Sequence, residues 1–155
     1  MSYNTHGMTK STEYIIWQHI KDRCRNPKSD NYFRYGARGI KVCDRWLKFD
    51  NFYEDMGKRP EGGYSIDRID NDKDYEPSNC RWATQRVQNI NRGLRSTNTS
   101  GVKGVNRNGS GNRWVASIRL EGKLKYLGAF KTIEGASKAR EAAEIKYYKP
   151  LLEVR

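Results

Sequence analysis

The sequence has few of the features on which export or membrane insertion depends. It contains three cysteines among 155 residues, an odd number that favours reduced thiols or metal ligands over a disulfide framework. It has no run approaching the roughly 20 apolar residues that a transmembrane helix needs. The N-terminal segment MSYNTHGMTK also lacks the apolar core of a signal peptide. We therefore expect a cytoplasmic protein with no membrane partner.

Acidic residues are also scarce relative to basic ones. The chain has 30 Lys and Arg against 18 Asp and Glu, a formal net charge of +12. Residues 1–92 carry 17 basic and 13 acidic side chains (+4), whereas residues 93–155 carry 13 and 5 (+8). Such an excess favours a polyanionic partner, most simply nucleic acid. A soluble basic protein without such a partner has the same composition, so charge alone does not decide.

Hydrophobic residues make up only 35% of the chain, so the 4 Trp, 10 Tyr and 4 Phe are expected to fill small cores. The polar segment 93–100, GLRSTNTS, predicts a linker between domains at 1–92 and 101–155. Hydrophobic periodicity predicts an α+β fold. Before the linker we expect helices from Ser11 or Thr12 to about Arg25 and over Phe49–Met56, and a short strand at Ile40–Cys43. After it we expect strands at Val102–Asn106, Arg113–Leu120 and Leu124–Phe130, then a helix from Thr132 to about Tyr148 with Ala136, Ala139, Ala143 and Tyr147 on one face.

The stretch from Ser65 to Arg92 predicts a compact strand–loop–strand–helix unit. Its predicted elements are a strand at Ser65–Ile69, a loop at Asp70–Ser78, a strand at Asn79–Thr84 and a helix at Gln85–Arg92. If the helix folds back across the hairpin, the side-chain oxygens of Asp67 and Asn89 converge. Carboxylate and amide oxygens are suitable ligands for one hard cation such as Mg²⁺.

This stretch, SIDRIDNDKDYEPSNCRWATQRVQNINR, resembles the HNH nuclease motif, also called the ββα-metal fold. Asp67, Asn79 and Asn89 lie at the matching positions, and Arg68 replaces the family's central His. The resemblance implies a metal-dependent DNA endonuclease, of the free-standing homing type that phages carry, acting inside an infected bacterial cell. Because one active site cuts one strand, double-strand cleavage implies a homodimer or two successive visits.

The resemblance also implies roles for these residues. Asp67 and Asn89 would hold the catalytic Mg²⁺, and Asn79 would fix the loop through backbone hydrogen bonds. Arg68 cannot act as a general base because an arginine side chain keeps its proton at any accessible pH. Its guanidinium suits a phosphate oxygen instead.

The general base must therefore come from elsewhere in the chain. His19 and Tyr35 are the first candidates, and His6 is a further one. The alternative for His19 is an ordinary position on the surface of the first helix.

Two other interpretations apply to the loop between the strands. Asp70, Asp72 and Asp74 imitate the start of an EF-hand calcium loop. That loop requires Gly at its sixth position and Glu at its twelfth, where this chain has Tyr75 and Arg81, so we reject calcium binding. The remaining alternative is a solvated acidic turn.

The three cysteines, Cys24, Cys43 and Cys80, form no CxxC pair, so their spacing alone is a weak zinc signal. Related HNH enzymes often carry structural zinc, and the resemblance therefore implies a possible Cys₃His site completed by His6 or His19. The alternative is three buried apolar thiols.

The C-terminal segment is similar to the Apetala/ethylene-response-factor DNA-binding domain of plants. The matching pieces are Lys103–Val105, Trp114–Arg119 and Tyr126–Phe130. The resemblance implies a three-stranded antiparallel sheet packed on one helix, with double-stranded DNA bound on the open sheet face. The residues that it implies on DNA are Lys103, Asn106, Asn108, Ser117, Arg119 and Tyr126. Several family arginines are Asn or Leu here, at positions 106, 108 and 124, so base preference does not carry over.

A DNA-binding protein that no longer cleaves is the alternative to a nuclease.

Overall fold

The structure is a computed structural model that describes residues 7–152. It has mixed α and β structure, with a two-stranded and a three-stranded antiparallel sheet, which confirms the predicted α+β class. The chain divides into two compact units, Met1–Asn91 and Arg92–Arg155. Within the described range, no helix has the length and apolar character needed to cross a membrane.

In residues 7–91, the part of the first unit that the structure describes, there are three helices, two strands and three short 3₁₀ turns. In chain order these are α1 (Thr12–Arg25), 3₁₀ turns at Tyr32–Arg34, Gly36–Arg38 and Asp44–Leu47, α2 (Phe49–Met56), β1 (Tyr64–Arg68), β2 (Cys80–Thr84) and α3 (Gln85–Asn91). The second unit contains β3 (Val105–Arg107), β4 (Trp114–Leu120), β5 (Lys123–Phe130), α4 (Ile133–Tyr147) and the short α5 (Lys149–Leu152).

An aromatic core holds the first unit together. Trp46 and Phe52 are fully buried, and their rings meet edge to face at 5.0 Å. Trp17 on α1 donates its indole N–H to the carbonyl of Trp46 at 2.7 Å. Buried indoles need such a partner, because an unpaired N–H in the core costs free energy. The core therefore fixes α1 against α2.

The predicted strand at Ile40–Cys43 is reduced to one isolated bridge between Val42 and Tyr75. The bridge is parallel, and the amide of Cys43 donates to the carbonyl of Tyr75 at 2.9 Å. Residues 40–43 pair with the loop that follows β1 at a single position. One paired position is too few to form a β-ladder. This pairing brings the loop against the aromatic core.

Helix α3 folds back across the β1–β2 hairpin. The Gln88 amide nitrogen donates to the side-chain hydroxyl of Ser65 on β1 and, at 3.3 Å, to the carbonyl of Ala83 on β2. Asn71 in the loop donates to the carbonyl of Asn91 at 2.6 Å. The middle of α3 is thus bonded to the hairpin and its C-terminal end to the loop, and the Asn91 side chain at that end reaches β1.

The second unit is a sheet of order β3–β4–β5 with α4 on one face. Ala136 on the helix packs in one buried cluster with Ala116 of β4 and Val105 of β3. Ala143 and Ile118 are buried as well. Tyr148, rather than the predicted Tyr147, is the buried tyrosine at the end of the helix, and its hydroxyl donates to the carbonyl of Arg119 at 2.8 Å.

An arginine in the middle of α4, Arg140, also lies on the buried face, which the alanine pattern did not predict. Its side chain is only 6% exposed. It donates to the carbonyl of Ser117 at 2.5 Å and pairs with Glu144 at 2.8 Å. A buried guanidinium is tolerated because these partners satisfy its donors.

Gly104 makes room for this arrangement. Its backbone lies in the left-handed region at φ +72°, and an added Cβ would lie 2.4 Å from the carbonyl oxygen of Ser117 and 2.6 Å from Nη1 of Arg140. Backbone atoms cannot move aside easily, so this position requires glycine both for its conformation and for the space.

We expect Gly104→Ala to lower the free energy of unfolding by about 2–4 kcal/mol, because strain at φ and a backbone clash act together. Gly109→Ala is the matched control, because no heavy atom lies within 4 Å of its added Cβ. Urea unfolding followed by circular dichroism measures both. Equal stabilities for the two variants would contradict the packing described for β4 and α4.

Candidate functional site

Asp67 lies on β1 with its side chain only 9% exposed, and it is paired with an arginine from β2. Arg81 is its direct cross-strand neighbour. The Nη2 and Nε atoms of Arg81 lie 3.2 and 3.3 Å from Oδ2 of Asp67. The arginine is 12% exposed, so the pair is partly shielded from water and interacts more strongly than a surface pair.

The amide that reaches Asp67 is Asn91, where the sequence predicted Asn89. The Asn91 side-chain nitrogen lies 3.4 and 3.3 Å from Oδ1 and Oδ2 of Asp67 and also donates to the carbonyl of Arg68. Asn89 instead accepts a 3.2 Å hydrogen bond from Gln85 on the exposed side of α3. Two residues along a helix correspond to a rotation of about 200°, so the two asparagines point in nearly opposite directions.

Asn79 anchors the loop between the strands. It is buried, and its Oδ1 accepts from the amide of Asp70 at 2.8 Å while its Nδ2 donates to the carbonyls of Asp70 and Asp74 at 3.1 and 2.9 Å. These three bonds connect the beginning and the middle of the loop through one side chain. Its contacts are thus to backbone, and the loop geometry depends on it.

Arg68 is directed into the protein rather than toward solvent. It is 6% exposed, its Nη1 donates to the carbonyl of Lys73 at 2.7 Å, and its guanidinium lies 5.2 and 4.9 Å from the ring centres of Tyr35 and Tyr75. A guanidinium enclosed in this way cannot bind a phosphate from solution. In place of the predicted phosphate contact, Arg68 has a structural role, because it holds the loop on the core.

Tyr35 and Tyr75 are flanked by a second arginine that sequence reasoning missed. The Arg23 guanidinium lies 4.4 and 4.9 Å from the same two ring centres. Burial raises the pKa of the Tyr75 hydroxyl, so that ring is neutral and its face is available to both cations. Two guanidinium groups thus lie close to the same two tyrosine rings inside the first unit.

Two of the three candidates for the general base, His19 and Tyr35, lie in the described part of the chain. His19 lies on the exposed side of α1, and Tyr35 is half-buried against Tyr75 at a ring separation of 6.1 Å. His6 lies outside the described residues. In the part of the chain that the structure describes, neither His19 nor Tyr35 is among the hydrogen-bond partners given for Asp67.

The loop carboxylates bond mainly to their own surroundings. Asp70 accepts from the amide of Asp72 at 3.0 Å, Asp72 forms an exposed ion pair with Arg38, and Asp74 accepts from the amide of Lys41 at 2.8 Å. These bonds are typical of a structured polar turn.

Cys24 and Cys80 belong to the aromatic core of the first unit, and Cys43 packs against it. Cys24 and Cys80 are buried and Cys43 is half-buried. Burial raises the pKa of Cys24 to about 11 and that of Cys80 to about 12, and it also raises the pKa of Cys43. Among residues 7–152, no three His, Cys, Asp or Glu side chains are grouped as metal ligands. Because His6 lies outside that range, the zinc site stays a prediction.

In the second unit, the strand register defines the side chains on the sheet face opposite α4. Directly paired residues share a face, and the pairs on this outer face are Asn106 with Val115, Ser117 with Tyr126, and Arg119 with Leu124. Four of the residues predicted to contact DNA therefore share one surface: Asn106, Ser117, Arg119 and Tyr126.

The other two predicted DNA contacts have local roles. Asn108 accepts from the amide of Arg113 at 3.0 Å and donates to the Ser110 hydroxyl at 2.8 Å, which closes the β3–β4 turn. Lys103 donates to the carbonyl of Arg92, and burial lowers the pKa of its ammonium group. Both side chains are engaged within the unit.

We expect Asn79→Ala to lower the free energy of unfolding of the first unit by about 2–4 kcal/mol, because buried backbone groups of the loop lose their partners. Ser78→Ala at the neighbouring position is the control. Among the described contacts, the Ser78 hydroxyl makes only an exposed hydrogen bond to Glu76. Hydrogen exchange of loop amides 70–74 reports the effect locally. Unchanged protection in Asn79→Ala would remove the anchoring role.

Comparison of the chain with protein-family models, with curated proteins and with solved structures found no significant match.

Proposed function

We propose that this protein is a metal-dependent DNA endonuclease, in which the first unit hydrolyses a phosphodiester bond and the second unit binds duplex DNA. The observation that carries the proposal is the contact between the Asp67 carboxylate and the Asn91 amide. Asp67 lies near the C-terminal end of β1, and Asn91 is the last residue of α3, which folds back across the hairpin. The +8 charge of residues 93–155 supports a polyanionic partner.

Carboxylate and amide oxygens are suitable ligands for a hard divalent cation such as Mg²⁺. Because the Asn91 amide presents its nitrogen to Asp67 and to the carbonyl of Arg68, it has to turn over before its Oδ1 can bind the cation. Asp67 and Asn91 would hold it, with water completing the shell, as is usual for Mg²⁺ in proteins. The guanidinium of Arg81 has to move away from Oδ2 of Asp67 when a cation binds there. A bound cation neutralises charge on the scissile phosphate and on the leaving oxygen.

The side chains around this pair have separate tasks in the proposal. Asn79 keeps the loop rigid, and Arg68 holds the loop on the core, so neither touches the substrate. Arg81, once displaced, supplies a cation beside the phosphate, where a guanidinium binds two oxygens at once. The proton acceptor for the attacking water is not assigned, because His19 and Tyr35 lack a contact with Asp67 among the described bonds.

A DNA-binding protein that does not cleave is the second candidate. The ion pair between Asp67 and Arg81 favours it, because the arginine satisfies the same carboxylate that a metal requires. The buried Arg68 at the position of the family's histidine favours it as well. The two candidates share the second unit and differ only in the chemistry of the first.

We expect Asp67→Asn to abolish nicking of supercoiled plasmid in Mg²⁺, by about a hundredfold or more, because the charge that holds the cation is lost while the side-chain shape is kept. Asp72→Asn is the control, since its carboxylate is 83% exposed and pairs only on the surface. DNA binding in EDTA should be equal in both variants. Absence of cleavage by the unmodified protein with any of Mg²⁺, Mn²⁺ or Ca²⁺ would leave the second candidate.

The two asparagines of α3 provide a test of the geometry. We expect Asn91→Ala to lose cleavage and Asn89→Ala to retain it, because Asn91 contacts Asp67 and Asn89 contacts Gln85. Nicking rates and the Mg²⁺ concentration at half-maximal rate are the measurements. The opposite ranking would return the metal site to Asn89 and would require α3 to be rotated.

A further inference from the structure

The outer face of the second unit's sheet carries two large apolar side chains that nothing in the described unit covers. Leu124 is 65% exposed and Tyr126 is 63% exposed. They are two positions apart on β5 and therefore point to the same side of the sheet. Most surface apolar residues occur singly, so two adjacent ones on an open strand indicate a contact surface.

Polar side chains surround this pair on the neighbouring strand. Arg119 lies opposite Leu124, and Ser117 lies opposite Tyr126. The Arg119 guanidinium donates to the carbonyl of Gly122 at 2.8 Å, so the turn holds it beside Leu124. Two cross-strand residue pairs of β4 and β5 thus place a cation, a hydroxyl and an apolar patch together on the outer face.

We propose that Leu124 and Tyr126 contact the 5-methyl groups of thymines in the major groove, and that they make this face selective for thymine-containing steps. The proposal rests on the proposed binding of duplex DNA and adds its base preference. In the major groove the thymine methyl is the one apolar group on a base edge, and a leucine has no hydrogen bond to offer any other group. A two-stranded ribbon such as β4–β5 fits the width of that groove.

Charge favours DNA over a second copy of the chain as the occupant of this face. Residues 93–155 carry 13 basic and 5 acidic side chains, so two copies of this segment repel each other, whereas a phosphate backbone attracts the segment. A dimer formed through Leu124 and Tyr126 is the competing outcome, and it is detected separately by sedimentation.

The test uses the full-length protein in EDTA, so that binding is measured without cleavage. Duplexes are selected from a random-sequence pool, and the best binders are then prepared with thymine or with uracil, which lacks only the methyl group. We expect thymine enrichment, and a loss of about fourfold in affinity for each contacted methyl that is removed. Leu124→Ala should bind the thymine duplex more weakly and respond less to uracil.

Ile145→Ala is the matched control, because Ile145 is 57% exposed on α4, which packs on the opposite sheet face. It should keep the full response to uracil. Equal affinity of the unmodified protein for thymine and uracil duplexes would overturn the proposal and leave DNA binding intact. Loss of self-association in Leu124→Ala would overturn it in favour of a dimer interface, and failure of the unmodified protein to bind any duplex would overturn the proposed function as well.

Discussion

The carboxylate of Asp67 is held between a guanidinium from the paired strand and an amide from the helix that follows it. Arg81 is fixed opposite Asp67 by the hairpin register, and Asn91 reaches it because α3 folds back across both strands. The proposed chemistry depends on this contact. The same contact limits it, since an ion pair with low exposure competes with a cation for one carboxylate oxygen. Cation binding at Asp67, as proposed, therefore requires Arg81 to leave this oxygen.

The rest of the first unit keeps that contact in position. Asn79 connects the loop to itself through three backbone hydrogen bonds, and Arg68 packs its guanidinium against two tyrosine rings while it bonds to the loop carbonyl of Lys73. Arg68 occupies the place where the HNH resemblance predicts a histidine, and its guanidinium contacts the rings of Tyr35 and Tyr75. These bonds connect the loop to itself and to the core, and they hold the loop beside the end of β1 where Asp67 lies.

The second unit leaves one face of its sheet open, because one helix can cover only one face of a sheet. Burial of Ala116 and Ile118 under α4 requires the alternate positions of β4 to face away from the helix. Arg140 and Tyr148 fasten the helix to β4 through hydrogen bonds to main-chain carbonyls. An open face with Arg119, Leu124 and Tyr126 is the result, and the positive charge of this half of the chain favours a nucleic acid against it.

Much of the architecture follows from the sequence alone. Caps and periodicity located α1, α2 and α4, for example through Ser11 and Thr132, because these signals are local and short in range. The contacts of Asp67 were different. Two asparagines in α3 have the same chemistry, and only the angle at which the helix crosses the hairpin decided for Asn91. Burial of Arg68, Arg140 and Tyr148 likewise depends on partners distant in the chain. Local patterns determined which elements form, and the packing of those elements decided which side chains meet.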